Sequence, residues 1–400
     1  MAERPDRSRS LAAARNRSTA ARTSRPAVPP VYPRETSEQH LPNRTGECTT
    51  VYRVKKPLAL VVGVVAGTSV VACSSGAAAP ADAPDRISPK VLAVTLFGAE
   101  AQPWLDDRPL TTEIAVPGLS AEFPTVACDG DDLCMVTTAM GYANAASSVA
   151  ALVASDRFDL TNTYFVVSGI AGVDPEHGTL GSAHWAEYVV DAGLRHEIDQ
   201  RQSPEDWASN VFALGTSQPG DSPGWGAGTE VYELNPDLVD AAFAATRDVD
   251  LTDNETAAAY RAHYPQQAAS SAPFVSVCDT QSADTYWHGS LMAQDVGNWV
   301  GLLTEGRATY CTTQMEDNAV LTALTRGADA GLIDLDRVAV LRAGSNFDRE
   351  YPGQSAVESI EAESGGLPIA TRNAYLVSST FADEIISAWD QWRDGVPTAE

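Results

Sequence analysis

The chain has 400 residues, with 27 Lys+Arg against 53 Asp+Glu and a formal net charge of −26. Twelve of the basic residues precede Pro57, so the remainder carries 15 basic against 48 acidic side chains, Lys90 being its one lysine. A body of that charge repels phosphate backbones, which excludes nucleic acid as a partner; the acidity otherwise reads as a solubility and salt adaptation.

Residues 1–50 are rich in Arg, Ser, Thr and Pro and show no apolar period. They are expected to be disordered, and they read as an over-extended gene model with translation starting near Val51. Residues 55–73, KKPLALVVGVVAGTSVVAC, place a basic pair before an uncharged apolar run that ends in small residues and Cys73. That is the layout of a secretory signal over 51–72. A cysteine directly after it resembles a bacterial lipoprotein box, which implies lipidation of Cys73, an extracytoplasmic location and attachment to the cell membrane. An uncleaved anchor is the alternative, but the run is shorter than the ~20 residues of a spanning helix. Residues 73–88 then read as a flexible tether.

From residue 89 to 397 no low-complexity linker or internal repeat divides the chain, and short apolar runs alternate with helical patterns. VLAVTLF (91–97) predicts a buried strand followed by a polar turn. LCMVTTAMG (133–141) predicts another, and the Ala-rich 142–155 a helix. TYFVVSGIAG (163–172) predicts a strand running into a glycine-containing loop. A helix over 317–331, a strand over 337–347 and a closing amphipathic helix over 382–395 complete the series. Alternation of this kind predicts an α/β fold with a mostly parallel central sheet, in which ligands bind beyond the carboxyl ends of the strands.

Apart from Cys48 and Cys73, four cysteines remain: Cys128, Cys134, Cys278 and Cys311. An even number suits disulfides in an oxidising compartment. Three connectivities are open; Cys128–Cys134 with Cys278–Cys311 is preferred, because the first pair flanks the turn-rich segment DGDDL. A metal site is the competing reading, but no histidine falls at ligand spacing from these cysteines. The sequence points to no cofactor.

Seven segments carry a resemblance: LFGAEAQPWL near 96–105, TTAMGYANAA (137–146), TYFVVSGIAGVDPEHGTLGSAHWAEYVVD (163–191), TYWHG (285–289), TQMEDNAVL (313–321), LRAGSNFDR (341–349) and the final WDQWRDGVP. In order and spacing they resemble the purine nucleoside permease family, which in turn is similar to nucleoside phosphorylases and nucleosidases. The resemblance implies a three-layer fold around a partly closed sheet, a purine nucleoside ligand and a homo-oligomer. Transport would need a partner transporter that spans the membrane.

The same resemblance implies site residues, each with a plainer alternative. Gly169, Ala171 and Gly172 match a glycine loop that meets phosphate and ribose, although a tight turn explains such glycines as well. This segment has no neighbouring arginine to clamp a phosphate, which counts against phosphorolysis. Glu100 matches a glutamate that handles the attacking water, or is a solvated loop residue. Met315 matches a methionine under the ribose, and Glu316 an acceptor for its hydroxyls, or else a carboxylate at a helix start. Asn346 stands where the phosphorylase pattern has an aspartic acid, so either Asn346 holds the base without protonating it or Asp348 serves as acid. Tyr286 and Trp287 match the base-stacking stretch, or are core aromatics. Gly141 and Phe347 complete the expected nucleoside-binding set. The functional expectation is an extracytoplasmic nucleoside-binding protein that supports uptake; the alternatives are a secreted nucleosidase or phosphorylase-type enzyme, and an inert relative that kept the fold.

Overall fold

The computed structural model describes residues 86–397. The expected leader (1–50), the signal peptide (51–72), the lipidated Cys73 and most of the tether lie outside the described residues. The tether ends earlier than expected, because Ile87 already bridges to Phe158 and exchanges backbone hydrogen bonds with Arg157 and Asp159 at 3.0 and 2.9 Å.

The strands in chain order are β1 (Val91–Thr95), β2 (Thr112–Ala115), β3 (Thr125–Cys128), β4 (Leu133–Thr137), β5 (Tyr164–Val173), β6 (Ala183–Ala186), β7 (Tyr188–Asp191), β8 (His196–Glu197), β9 (Val211–Phe212), β10 (Val231–Glu233), β11 (Val275–Val277), β12 (Asp279–Ser282), β13 (Tyr310–Gln314) and β14 (Val338–Phe347). The helices are α1 (Gly98–Asp107), α2 (Tyr142–Val153), α3 (Pro236–Thr246), α4 (Glu255–Arg261), α5 (Gln267–Ser270), α6 (Ser290–Leu303), α7 (Asp317–Asp329), α8 (Ala356–Ile360), α9 (Gly366–Ser387) and α10 (Trp389–Trp392).

Twelve strands make one sheet, whose main path runs β10-β7-β12-β13-β5-β1-β4-β3-β2, with β14 and β6 linking β5 to β11. Six of its eleven pairings are parallel, against five antiparallel. The expected mostly parallel α/β sheet is therefore present, with its antiparallel pairs concentrated at the margins and the branch. β1 and β4 are buried at every position, the pattern of strands covered on both faces. Helix α2 packs on α7, while α9 packs on α1, α3, β5 and β14.

β5 organises the sheet. Its first half pairs with β1 on one edge, its whole length from Phe165 pairs with β14 on the other, and its last two residues pair with β13. The sheet therefore branches and curls at β5. The expected loop at Gly169–Gly172 is instead strand, because β14 keeps pairing with it past a register shift between Gly344 and Asn346.

Two other expectations change. The turn after β1 is the first turn of α1, so Glu100 is helical and buried, not a solvated loop residue. The closing helix begins at Gly366 rather than 382 and breaks at Ala388. Gly365, Gly366 and Pro368 look like breakers in sequence, but a proline in the first helical turn loses no intrahelical bond. The buried face of α9 then recurs at Ile369, Asn373, Val377, Phe381 and Ile385. Both preferred disulfides are present: Cys128–Cys134, opposite each other in the β3–β4 hairpin, and Cys278–Cys311.

Candidate functional site

The carboxyl ends of β1, β4, β5, β12, β13 and β14 converge on one cavity of about 180 Å³. Glu100 enters it from α1, Ile170 to Gly172 from β5, Tyr286 and Trp287 from the segment after β12, Met315 and Glu316 from the end of β13, and Asn346 from β14. The loop after β4 closes one side with Met140. That loop is strained, with Ala139 at φ 69° and Gly141 at φ 87°. Such a conformation persists only where the surroundings hold it. Here the Gly141 amide donates to Glu316 Oε1 at 3.2 Å and the Tyr142 amide donates to Asp284 at 2.6 Å.

The polar floor is a buried ionic cluster. Arg342 stands opposite Gly169 in the β14–β5 register, and a Cβ on Gly169 would fall 2.5 Å from Arg342 Nη1. Glycine is required there because the guanidinium occupies the space. Arg342 binds both oxygens of Asp317, with Nε 3.0 Å from Oδ2. It also approaches Glu316 Oε2 at 3.4 Å and Glu100 Oε1 at 4.0 Å, and it donates to the Ile170 carbonyl at 2.9 Å. Burial works against its charge, but Asp317, Glu316 and Glu100 outweigh burial and hold it protonated.

Three carboxylates thus face one cation. Glu100 is fixed by two backbone amides, Leu96 N to Oε2 and Ile170 N to Oε1, both at 2.7 Å. Burial pushes its carboxyl up to about 7, against the pull of Arg342. Burial raises Glu316 as well, and Arg342 again opposes the shift. A carboxyl that titrates near neutrality beside a cavity can exchange a proton with a bound molecule.

The opposite wall is flatter. Tyr286 is half exposed at the opening, whereas Trp287 is buried and donates from Nε1 to Gln281 at 2.9 Å. Asn346 accepts from Ser345 Oγ at 2.9 Å and donates to the Phe347 carbonyl at 3.0 Å. A Cβ at Gly172 would sit 3.0 Å from Thr313 Cγ2 and 3.3 Å from Asn346 Nδ2, so this glycine keeps room between β13 and β14.

Within this geometry the match to a known family can be placed. The family model described as purine nucleoside permease matches residues 88–397. The chain belongs to the purine nucleoside permease family. A probable purine nucleoside permease of Schizosaccharomyces pombe is 38% identical over 350 residues, covering 84% of this chain and 99% of the relative. A purine nucleoside permease of Candida albicans is 37% identical over 309 residues, 76% of each chain. These permease relatives are fungal and lend no support to a bacterial lipidation box at Cys73. Similar solved structures include a 5′-methylthioadenosine/S-adenosylhomocysteine nucleosidase from Neisseria meningitidis in complex with methylthio-immucillin-A, with 15% identity, 75% of this chain, 99% of that chain and a TM-score of 0.46. Another is the futalosine hydrolase of Helicobacter pylori, with 14% identity, 74% and 98% coverage and a TM-score of 0.46.

Of the residues expected at a permease nucleoside site, Glu100, Ala171, Gly172, Tyr286, Trp287, Met315, Glu316 and Asn346 share the cavity. Gly141 touches it through its bond to Glu316, and Gly169 lies behind it under Arg342. Two residues lie elsewhere. Phe347 turns into a separate apolar cluster, 3.9 Å from the Tyr264 ring. Asp348 is fully buried, accepts from Tyr310 Oη at 2.7 Å and pairs with Arg349 at 2.7 Å. Alternation along the strand sends residues 346 and 348 to one side, but β14 ends at Phe347 and Asp348 follows a different path into that ion pair.

Arg342 is the residue that sequence reading missed. The glycine segment has no arginine in sequence, yet strand pairing supplies one. The available signal was an arginine inside the apolar run VAVLRAG, since a buried guanidinium requires carboxylate partners. Gln314 and Ser345 were missed for a plainer reason, being small or neutral polar residues in strands.

Proposed function

We infer that this chain is an extracytoplasmic purine-nucleoside-binding protein that supports nucleoside transport. The observation that carries the reading is the single cavity shared by Gly172, Glu316 and Asn346, which lie far apart in the chain. Met315 and the Glu316 carboxylate suit a ribose, with the charged acceptor facing its hydroxyls. Tyr286, Trp287 and the Asn346 amide suit a flat heterocycle with polar edges. Two disulfides favour an oxidising compartment. No helix among the described residues is long and apolar enough to cross a membrane. In this reading a separate transporter spans the bilayer and receives the nucleoside.

A nucleosidase is the second reading, and Glu100 is the observation in its favour. Its carboxylate, oriented by two amides and titrating near 7, could take a proton from a water that attacks the anomeric carbon as the C–N bond breaks. Asn346 can hydrogen-bond a departing base but cannot protonate it. Phosphorolysis fits poorly, since Arg342, the one guanidinium lining this cavity among the described residues, is committed to Asp317.

One assay separates the readings. The purified chain is incubated with inosine or adenosine, with and without phosphate, while bound nucleoside, free base and ribose are followed. Binding without release is expected. Release in the absence of phosphate would establish the nucleosidase, and neither binding nor release would overturn both. In the same assay Glu316→Ala should abolish ribonucleoside binding and leave free-base binding mostly intact.

A further inference from the structure

The loop that closes one side of the cavity is held from outside itself. Thr138 to Gly141 connect β4 to α2, and Ala139 within it is buried and left-handed at φ 69°. Alanine in that region costs roughly tenfold in population, because its Cβ crowds the following carbonyl oxygen. Asn144 Nδ2 donates to the Met140 carbonyl at 2.8 Å and Ala145 N to the Gly141 carbonyl at 3.0 Å, but these bonds tie the loop only to its own helix. Past Ala139, two backbone amides reach other elements. Gly141 N donates to Glu316 at the head of α7, and Tyr142 N donates to Asp284 Oδ1, two residues beyond β12.

The two anchors are unequal. The Gly141 bond is 3.2 Å long, against 2.6 Å for the Tyr142 bond. Glu316 is also the carboxylate that faces the sugar in the nucleoside reading, and a hydroxyl bringing it a proton competes with the Gly141 amide for its oxygens. Asp284 meets no such competition, since it is exposed and does not line this cavity. Its Oδ1 lies 3.2 Å from the position that a Gly141 Cβ would take, and its charge faces the first amides of α2, where the helix dipole favours a carboxylate. Asp284 also opens the segment that supplies Thr285, Tyr286 and Trp287 to the cavity. One carboxylate thus joins two walls, the strained loop that carries Met140 and the aromatic segment opposite.

We propose that Asp284 is a positioning residue for the nucleoside site: its carboxylate holds the left-handed loop against the aromatic wall while a bound sugar occupies Glu316. It touches no ligand and acts through the Tyr142 amide. The inference rests on the nucleoside reading above and gives that site its clasp. Without Asp284, Ala139 relaxes to its ordinary backbone region and carries Met140 and the Gly141 amide away from the cavity.

The test is calorimetric titration of the full chain with inosine. Asp284→Ala should weaken binding roughly tenfold, the population that a left-handed alanine forfeits once it is no longer held. Its melting temperature should stay within about 3 °C of the wild type, because an exposed carboxylate at a helix start contributes little to stability. Asp284→Asn keeps an oxygen for the Tyr142 amide and should bind inosine within about threefold of the wild type. Ala139→Gly removes the left-handed penalty: added to Asp284→Ala it should recover at least about threefold in affinity, whereas alone it should change affinity by less than about twofold. A general structural defect would be repaired by neither substitution. Unchanged affinity in Asp284→Ala, or a loss that either Asp284→Asn or Ala139→Gly fails to repair, overturns the assignment. Failure of the wild-type chain to bind inosine at all instead removes the nucleoside reading, and this inference with it.

Discussion

Replacing Arg342 with methionine is the sharpest test of how the cavity floor is held. The guanidinium is 1% exposed, and its partners Asp317, Glu316 and Glu100 are 0%, 6% and 2% exposed. Attraction between unit charges 4 Å apart is about 4 kcal/mol at an effective dielectric near 20, and most of that offsets the cost of removing the charges from water. Arg342→Met keeps the volume but leaves Asp317 without its two-oxygen partner and three carboxylates without a cation. Breaking one side of such a cluster costs about 3–5 kcal/mol. At about 2 °C per kcal/mol for a domain of this size, the melting temperature should fall by about 6–10 °C. Adding Asp317→Asn to the same chain removes the stranded charge and should recover more than half of the loss. The assay is urea unfolding of the wild type, both single variants and the double variant at pH 8, read as a double-mutant cycle. A loss below about 1 kcal/mol for Arg342→Met, or single effects that add within about 0.5 kcal/mol, would refute the picture of a desolvated, mutually dependent cluster.

Three other outcomes are expected. Gly169→Ala puts a Cβ 2.5 Å from Arg342 Nη1 and 2.8 Å from Glu100 Oε1, which should cost about 1–3 kcal/mol by overpacking; Gly172→Ala, with 3.0 Å to Thr313 Cγ2, should leave the melting temperature nearly unchanged and weaken inosine binding. Glu100 holds its proton more tightly folded, at about 7 against 4.5, so its stabilising contribution is complete below 4.5 and lost as pH rises through 7. Relative to Glu100→Gln, the wild type should therefore lose about 3 kcal/mol across that window, and a flat difference in unfolding free energy would refute it. Removing Cys278–Cys311, which spans 33 residues, should cost about 4 kcal/mol, and removing Cys128–Cys134, which spans 6, only about 2 kcal/mol by loop-closure entropy; the ranking is read from denaturation of the paired serine variants.

Much of the fold was legible because buried parallel strands write themselves as apolar runs. VLAVT, LCMVT and the Val338–Phe347 segment were read directly, and DGDDL announced the hairpin that the Cys128–Cys134 bridge closes. Errors came where a local signal was overridden. The Gly169–Gly172 segment reads as a loop by its glycines, but continued pairing to β14 makes it strand. The closing helix was expected over 382–395, but the longest helix among the described residues begins at Gly366, because its two glycines and Pro368 fall at its start, where no intrahelical bond is lost.

The amino-acid sequence by itself determined the α/β class, the family and half of the residues that line the cavity, since these depend on local periodicity and on short motifs, and it favoured the observed disulfide pairing among three. Tertiary structure alone decided that Arg342 sits beneath the glycine strand, that Asp348 is spent on Arg349, and that Gln314 keeps an unanswered donor. Each of these is a matter of strand register and of which partner claims a buried charge or amide. Register links residues more than a hundred positions apart, and no local pattern in the chain encodes that pairing.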